Sequence, residues 1–114
     1  MLFKSNVEDF IARADIIKNT KIINKRICIA YSESEISNIN VVIAKAADEL
    51  LNIKNVEASF ILGHKNDTVF ISARSLGQIN VHVLAGAQLK NVTLNQAYKQ
   101  VHQIIEEYLE EENQ

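Results

Sequence analysis

A chain of 114 residues, 47% of them hydrophobic, can bury one core of two or three layers, so a single domain is expected. The formal charge of −2, from 12 basic and 14 acidic residues of mixed order, gives no reason to expect a broad basic face of the kind that grips duplex nucleic acid. One cysteine excludes an intrachain disulfide, and no apolar run is long enough to cross a bilayer as a helix.

The amino terminus lacks the basic-then-apolar layout of a secretory signal. Cys28 lies inside the apolar run Arg26-Ile27-Cys28-Ile29-Ala30, as a small core residue would, and the expected setting is reducing and cytoplasmic. There is no proline, where ordinary usage supplies about five or six in this length. Turns must therefore rest on Gly, Asn, Asp and Ser.

In chain order, Ser5 and Glu8 have the spacing of a capping box. Val7, Phe10, Ile11, Ala14 and Ile17 fall on one helical stripe, which predicts a helix over about 6–19 with that stripe inward. Lys21-Ile22-Ile23, the pair Asn24-Lys25 and the apolar run at 26–31 predict a hairpin, or at least one buried strand. Ser32-Glu33-Ser34-Glu35 reads as a polar loop. Ile39, Val42, Ile43, Ala46, Ala47, Leu50 and Leu51 then keep helical spacing, with Asn40, Lys45, Asp48 and Glu49 on the opposite, solvated face. The alanines of that helix predict close packing on a sheet.

Residues 56–65 and 68–75 predict two strands around Asn66-Asp67, a pair that tolerates the dihedrals of a tight hairpin turn. In the second strand Val69, Ile71 and Ala73 face one way and Phe70, Ser72 and Arg74 the other. The stretch VFISARSLGQINV at 69–81 thus delivers a guanidinium to the rim of a sheet. A glycine turn at Gly77 and a polar opening of a short helix at Asn80 follow it. Thr93 and Gln96 form a T-x-x-Q box opening a last helix, with Leu94, Ala97, Tyr98, Val101, Ile104, Ile105, Tyr108 and Leu109 on its inner face. Glu106, Glu107 and Glu110 to Glu112 oppose the helix dipole, so its end is expected to fray.

Chemically, an Arg fork followed by a hydroxyl and backbone amides suits a phosphate. A lone strand-end Arg is nevertheless more commonly a solvated or ion-paired surface group. His64, His82 and His102 show no metal-pair spacing, and neither a nucleophile elbow nor a phosphate-binding P-loop is present. No catalytic and no metal-ligating residue is assigned.

Taken together, Val56-Glu57-Ala58-Ser59-Phe60, Ile71-Ser72-Ala73-Arg74-Ser75-Leu76-Gly77 and Ile79-Asn80-Val81 resemble the DHHA1 domain that closes the DHH phosphoesterases. The likeness is strongest to the form at the carboxyl end of the membrane-bound cyclic-di-AMP phosphodiesterases of low-GC bacteria. Ala46-Ala47-Asp48-Glu49-Leu50-Leu51 and Ala87-Gln88-Leu89-Lys90 also resemble family words, and the resemblance covers nearly the whole chain. It implies an α/β fold, a small mixed β-sheet flanked by helices, with a linker helix over 1–20 and a substrate-binding domain over 21–114.

By the same resemblance Arg74 and Ser75 hold a phosphate of a cyclic dinucleotide, while Gly77 and Asn80 shape the turn beside it. Hydrolysis to the linear dinucleotide belongs to clustered Asp and His of a DHH domain, with manganese. This chain alone is expected to be inactive and to hold no cofactor. The implied partners are a cyclic dinucleotide or short oligonucleotide, the DHH catalytic domain and a second copy in a homodimer. No membrane contact is expected of this segment, even in a membrane-anchored parent.

One departure stands out between Val81 and Ala87. The family has a glycine-rich loop ending in histidine, GGGH, where this chain runs from Asn80-Val81-His82-Val83-Leu84 through Ala85-Gly86 straight to Ala87-Gln88-Leu89. Glycines let backbone amides approach phosphate oxygens closely, so one wall of the implied pocket is missing. His82 follows INV rather than a glycine run, and the family histidine's role is not transferred to it. Two alternatives stay open: a degenerate DHHA1 remnant acting as a packing or interaction module, and a single-stranded nucleic-acid-binding module of a DHH exonuclease. The acidic balance counts against the second.

Overall fold

In a computed structural model residues 7–77, 79–82 and 84–113 are described. The elements are α1 (Val7–Lys18), β1 (Lys21–Ile23), β2 (Ile27–Tyr31), α2 (Ile39–Leu50), β3 (Ala58–Lys65), β4 (Thr68–Ser75), β5 (Gln88–Lys90) and α3 (Leu94–Glu112). The five strands form one sheet in sequence order. Only β2 and β3 run parallel; the other neighbours are antiparallel. This is the small mixed α/β sheet flanked by helices that the sequence predicts.

Local chemistry explains the topology. Asn24 and Lys25 carry φ of 53° and 61°, and the Arg26 N–H donates to the Ile23 carbonyl at 3.1 Å, closing the β1–β2 hairpin. A parallel pair cannot be joined by a tight turn, so α2 supplies the crossover from β2 to β3. Asn66, at φ 56°, turns β3 back into β4 with Lys65 opposite Thr68.

Strand alternation then divides the core. Cys28, Ala30 and Ile61 pack under α1 and α2, while Ile27, Ile29, Phe60, Leu62, Val69, Ile71 and Ala73 pack under α3. Helix α2 buries Ile39, Val42, Ile43, Ala46, Ala47 and Leu50, the stripe read from its sequence. Its approach is close: a Cβ added to Gly63 of β3 would lie 2.7 Å from Ile39 Cδ1. The buried Ser59 hydroxyl donates to the Ala47 carbonyl at 2.7 Å.

Four expectations are corrected. In α1 the fully buried residue is Ile16, with Ala12 and Ile17 packed beside it, while Val7, Phe10 and Ile11 are 70%, 56% and 54% exposed. Polar contacts to α2 set that rotation, since Arg13 pairs with Glu49 at 2.6 Å and Asp9 accepts from Asn38 at 3.0 Å. Ser5 of the expected capping box lies outside the described residues.

At the other end, α3 opens on the expected capping box, Thr93 Oγ1 accepting from the Gln96 N–H at 3.0 Å and Gln96 Oε1 from the Thr93 N–H at 2.9 Å. Ala97, Val101 and Ile105 are buried, but Ile104 is 42% exposed. Instead of fraying, the acidic end stays helical to Glu112, whose carboxylate is held by Arg26 and by the Tyr108 hydroxyl. A cation from a distant hairpin offsets the unfavourable dipole.

No helix begins at Asn80 among the described residues. Leu84 and Ala85 donate to the Val81 carbonyl at 3.0 Å, and Ala87 donates to Leu84 at 3.1 Å, giving a run of turns. Gly86, at φ +73°, donates to Ile71, and the Ile71 N–H donates to Ala87 at 2.9 Å. The chain is thereby returned to the β4 edge before β5 opens at Gln88.

Candidate functional site: the end of strand β4

Arg74 is the penultimate residue of β4, and the alternation of the strand puts it on the α2 face. Its Nε donates to Asp48 Oδ1 at 3.1 Å and its Nη1 to the Ala73 carbonyl at 3.1 Å. The side chains of Arg74 and Asp48 are 39% and 64% exposed, so water and solutes reach the pair. Two N–H donors are engaged in this way, and the others remain to meet a ligand.

Ser75 is paired with Ala58 and lies on the opposite face, toward α3. The two neighbouring side chains therefore diverge. Ser75 Oγ accepts from the Gly77 N–H at 3.0 Å, which occupies one backbone amide of the turn and leaves the hydroxyl proton to donate elsewhere. Gly77 has φ +113° and nothing within 4 Å of where a Cβ would stand, so its glycine is required by conformation and not by crowding. The Leu76 N–H donates to the Glu57 carbonyl at 3.0 Å, securing the strand end.

Beyond the turn, Ile79 is buried under α3 and fixes the chain. Asn80 Oδ1 accepts from the His82 N–H at 3.0 Å, an Asx turn that orients its carboxamide. Of the four candidate residues, Ser75, Gly77 and Asn80 share the α3 side of the rim, and Arg74 stands across the strand from them.

Reading the sequence did not find the ion-pair cluster beside this rim. Arg26 Nε lies 2.5 Å from Glu57 Oε2, and its Nη atoms engage Glu112. The hydrogen bonds from Arg26 hold both carboxyls below the usual carboxylate range, while those of Glu112 and Glu57 push the guanidinium pKa up. The available signal was Arg26, a charge at the head of an otherwise apolar strand, but its partners lie 31 and 86 residues away.

The histidines are spread over the surface: His64 Nε2 meets the Glu33 carbonyl at 2.6 Å, and His102 Nδ1 meets Glu106 at 3.0 Å. Among the described residues no three His, Cys, Asp or Glu side chains are grouped to hold a metal ion. No described helix is long and apolar enough to cross a membrane.

The model of the DHHA1 domain family matches residues 19–93. The cyclic-di-AMP phosphodiesterase GdpP of Geobacillus thermodenitrificans is 36% identical over 122 residues, covering 96% of this chain, and GdpP of Bacillus subtilis is 36% identical over 122 residues, covering 94%. The cyclic-di-AMP phosphodiesterase PdeA of Listeria monocytogenes is 34% identical over 118 residues, covering 92%. In each case the chain spans 18% of the relative's own length. Since 96% of 114 residues is about 109, the 122 aligned positions of the first comparison leave about a dozen residues of that relative without a counterpart here. The matched span takes in the whole sheet from β1 to β5, and the chain is a member of the DHHA1 domain family.

Proposed function

We propose that this chain is the nucleotide-binding domain of a DHH-type phosphodiesterase acting on cyclic-di-AMP, and that the end of β4 meets a phosphate. The observation that carries the reading is the half-exposed guanidinium of Arg74, with donors to spare, at the open end of a strand in this family. A phosphodiester oxygen would compete with Asp48 for that guanidinium and gain a charge-assisted hydrogen bond. The Ser75 hydroxyl would reach the same ligand only from the other side of the strand, so a phosphate must straddle the strand end.

The chain's own contribution is then binding and orientation. Metal-assisted hydrolysis, with manganese, belongs in this reading to a DHH domain outside the sequence. The exposed Val7, Phe10 and Ile11 of α1 suit a surface against which that domain rests. Isothermal calorimetry of the chain with cyclic-di-AMP, repeated on Arg74→Ala, tests the reading: binding at least about tenfold weaker in the variant supports it, and equal binding removes Arg74 from the site.

One observation favours a second reading, a packing module that binds no nucleotide. Arg74 is tied to Asp48 and points away from Ser75, so the polar rim is also consistent with a surface ion pair. Complete silence toward the dinucleotide would favour this reading.

A further inference from the structure

Between α3 and the turns that follow Ile79 lies an apolar slot of about 220 Å³. Its floor is Phe60, Ile79 and Ile105, each no more than 5% exposed, and Val81 and Leu84 form one wall with Ile104 at the mouth. The one amide side chain lining it is that of Asn80, and no charged side chain lines it among the described residues. Sites that enclose a whole drug-sized ligand measure about 300–1,000 Å³, so this slot admits one ring system and leaves the remainder outside.

We infer that this slot receives the purine base of the nucleotide whose phosphate the β4 rim holds. The inference rests on the nucleotide reading given above and assigns a further element to the same site. An uncharged, mostly apolar slot excludes the phosphate and accepts a flat neutral heterocycle, which buries both faces there. Asn80 supplies recognition. Its Oδ1 is already committed to the His82 N–H, which fixes the carboxamide and leaves its NH₂ to donate to a ring nitrogen. Position agrees as well: Asn80 follows Gly77 by three residues on the α3 side of the rim, so a base in the slot leaves its phosphate near the 75–77 turn.

The test uses the 114-residue chain, read by Ile δ1-methyl and Arg Nε–H NMR together, with adenosine, inorganic phosphate and cyclic-di-AMP as separate probes. Saturable adenosine shifts at Ile79, Ile104 and Ile105 are expected. Ile104→Trp, at an exposed position that leaves the core intact, fills the mouth and should weaken adenosine at least tenfold while phosphate shifts at Arg74 persist. Asn80→Asp keeps the acceptor for His82 and the turn but removes the NH₂ donor, and should weaken adenosine about tenfold.

The outcomes separate the two claims. Adenosine shifts in the slot without any phosphate response at Arg74 would keep the slot and remove the rim reading. Phosphate shifts at Arg74 with unmoved slot methyls, or wild-type adenosine affinity in both variants, would overturn the slot. Silence toward every probe overturns both, and slot methyls that move only on dilution would assign the slot to a second copy of the chain.

Discussion

Arg74 Nε donates to Asp48 Oδ1 at 3.1 Å, so the guanidinium at the end of β4 is shared with helix α2. Both side chains are more than a third exposed, and such pairs contribute only about 0–1 kcal/mol. Removing the carboxylate should therefore release Arg74 at little structural expense. Asp48→Asn is expected to leave the urea midpoint nearly unchanged and to tighten cyclic-di-AMP about two- to fivefold, an effect that shrinks at high salt. Weaker binding in Asp48→Asn would show that the carboxylate positions the guanidinium and does not compete with the ligand.

The contact between Gly63 and Ile39 is steric. A methyl at residue 63 would stand 2.7 Å from Ile39 Cδ1 and 3.2 Å from Ile43 Cγ2, so α2 or the Ile39 rotamer must shift. Overpacking of this kind costs about 1–3 kcal/mol. Gly63→Ala should lose that much by urea denaturation, and adding Ile39→Val, which removes the clashing methyl, should restore part of it. Additive losses in the double variant would contradict the steric account.

Acid should expose the role of Arg26. Its hydrogen bonds hold the Glu57 and Glu112 carboxyls below their ordinary value of 4.5. A carboxyl depressed in the fold stabilises above its unfolded pKa, and that contribution is lost as pH falls through the lower folded value. The wild type should thus lose stability as pH drops below about 4.5, and Glu57→Gln/Glu112→Gln should lose distinctly less over the same window. Parallel acid limbs for the two proteins, measured as urea midpoints against pH, would mean that the cluster adds nothing. Truncating Arg26 should also loosen the last turn of α3, visible as faster amide exchange near Glu112.

Cys28 is fully buried, and burial pushes its thiol up to about 11. Only the thiolate attacks disulfide or alkylating reagents. Modification at neutral pH should therefore be very slow in the native chain and should rise with denaturant in step with global unfolding. Rapid labelling without denaturant would reveal local opening between β2 and α2.

What could be read from sequence was local. Asn24-Lys25 and Asn66 announced their hairpins because their backbone conformations follow from the residues themselves, and Ile39 to Leu50 announced α2 because half its positions are buried on one stripe. The rotation of α1 was not legible, since it depends on Arg13 and Asp9 finding partners on α2 and at its start. Strand β5, at three residues, is too short to display alternation. At the candidate site the strand-end Arg74 was visible from alternation, but its tie to Asp48, 26 residues earlier, was not. The divergence of Arg74 from Ser75 was implicit in the same alternation that located them. The slot beside Asn80 was hidden, because it is formed by turns where the sequence predicted a short helix.

The most direct test of the account is a site-resolved titration of the chain with cyclic-di-AMP, following the Arg74 Nε–H and the backbone amides of 75–77, in the wild type and in Arg74→Ala. Saturable shifts at both places in the wild type, lost from the amides of the folded variant, are the result the account predicts. A well-dispersed wild-type spectrum that ignores the dinucleotide, or amide shifts that persist unchanged in Arg74→Ala, would contradict it.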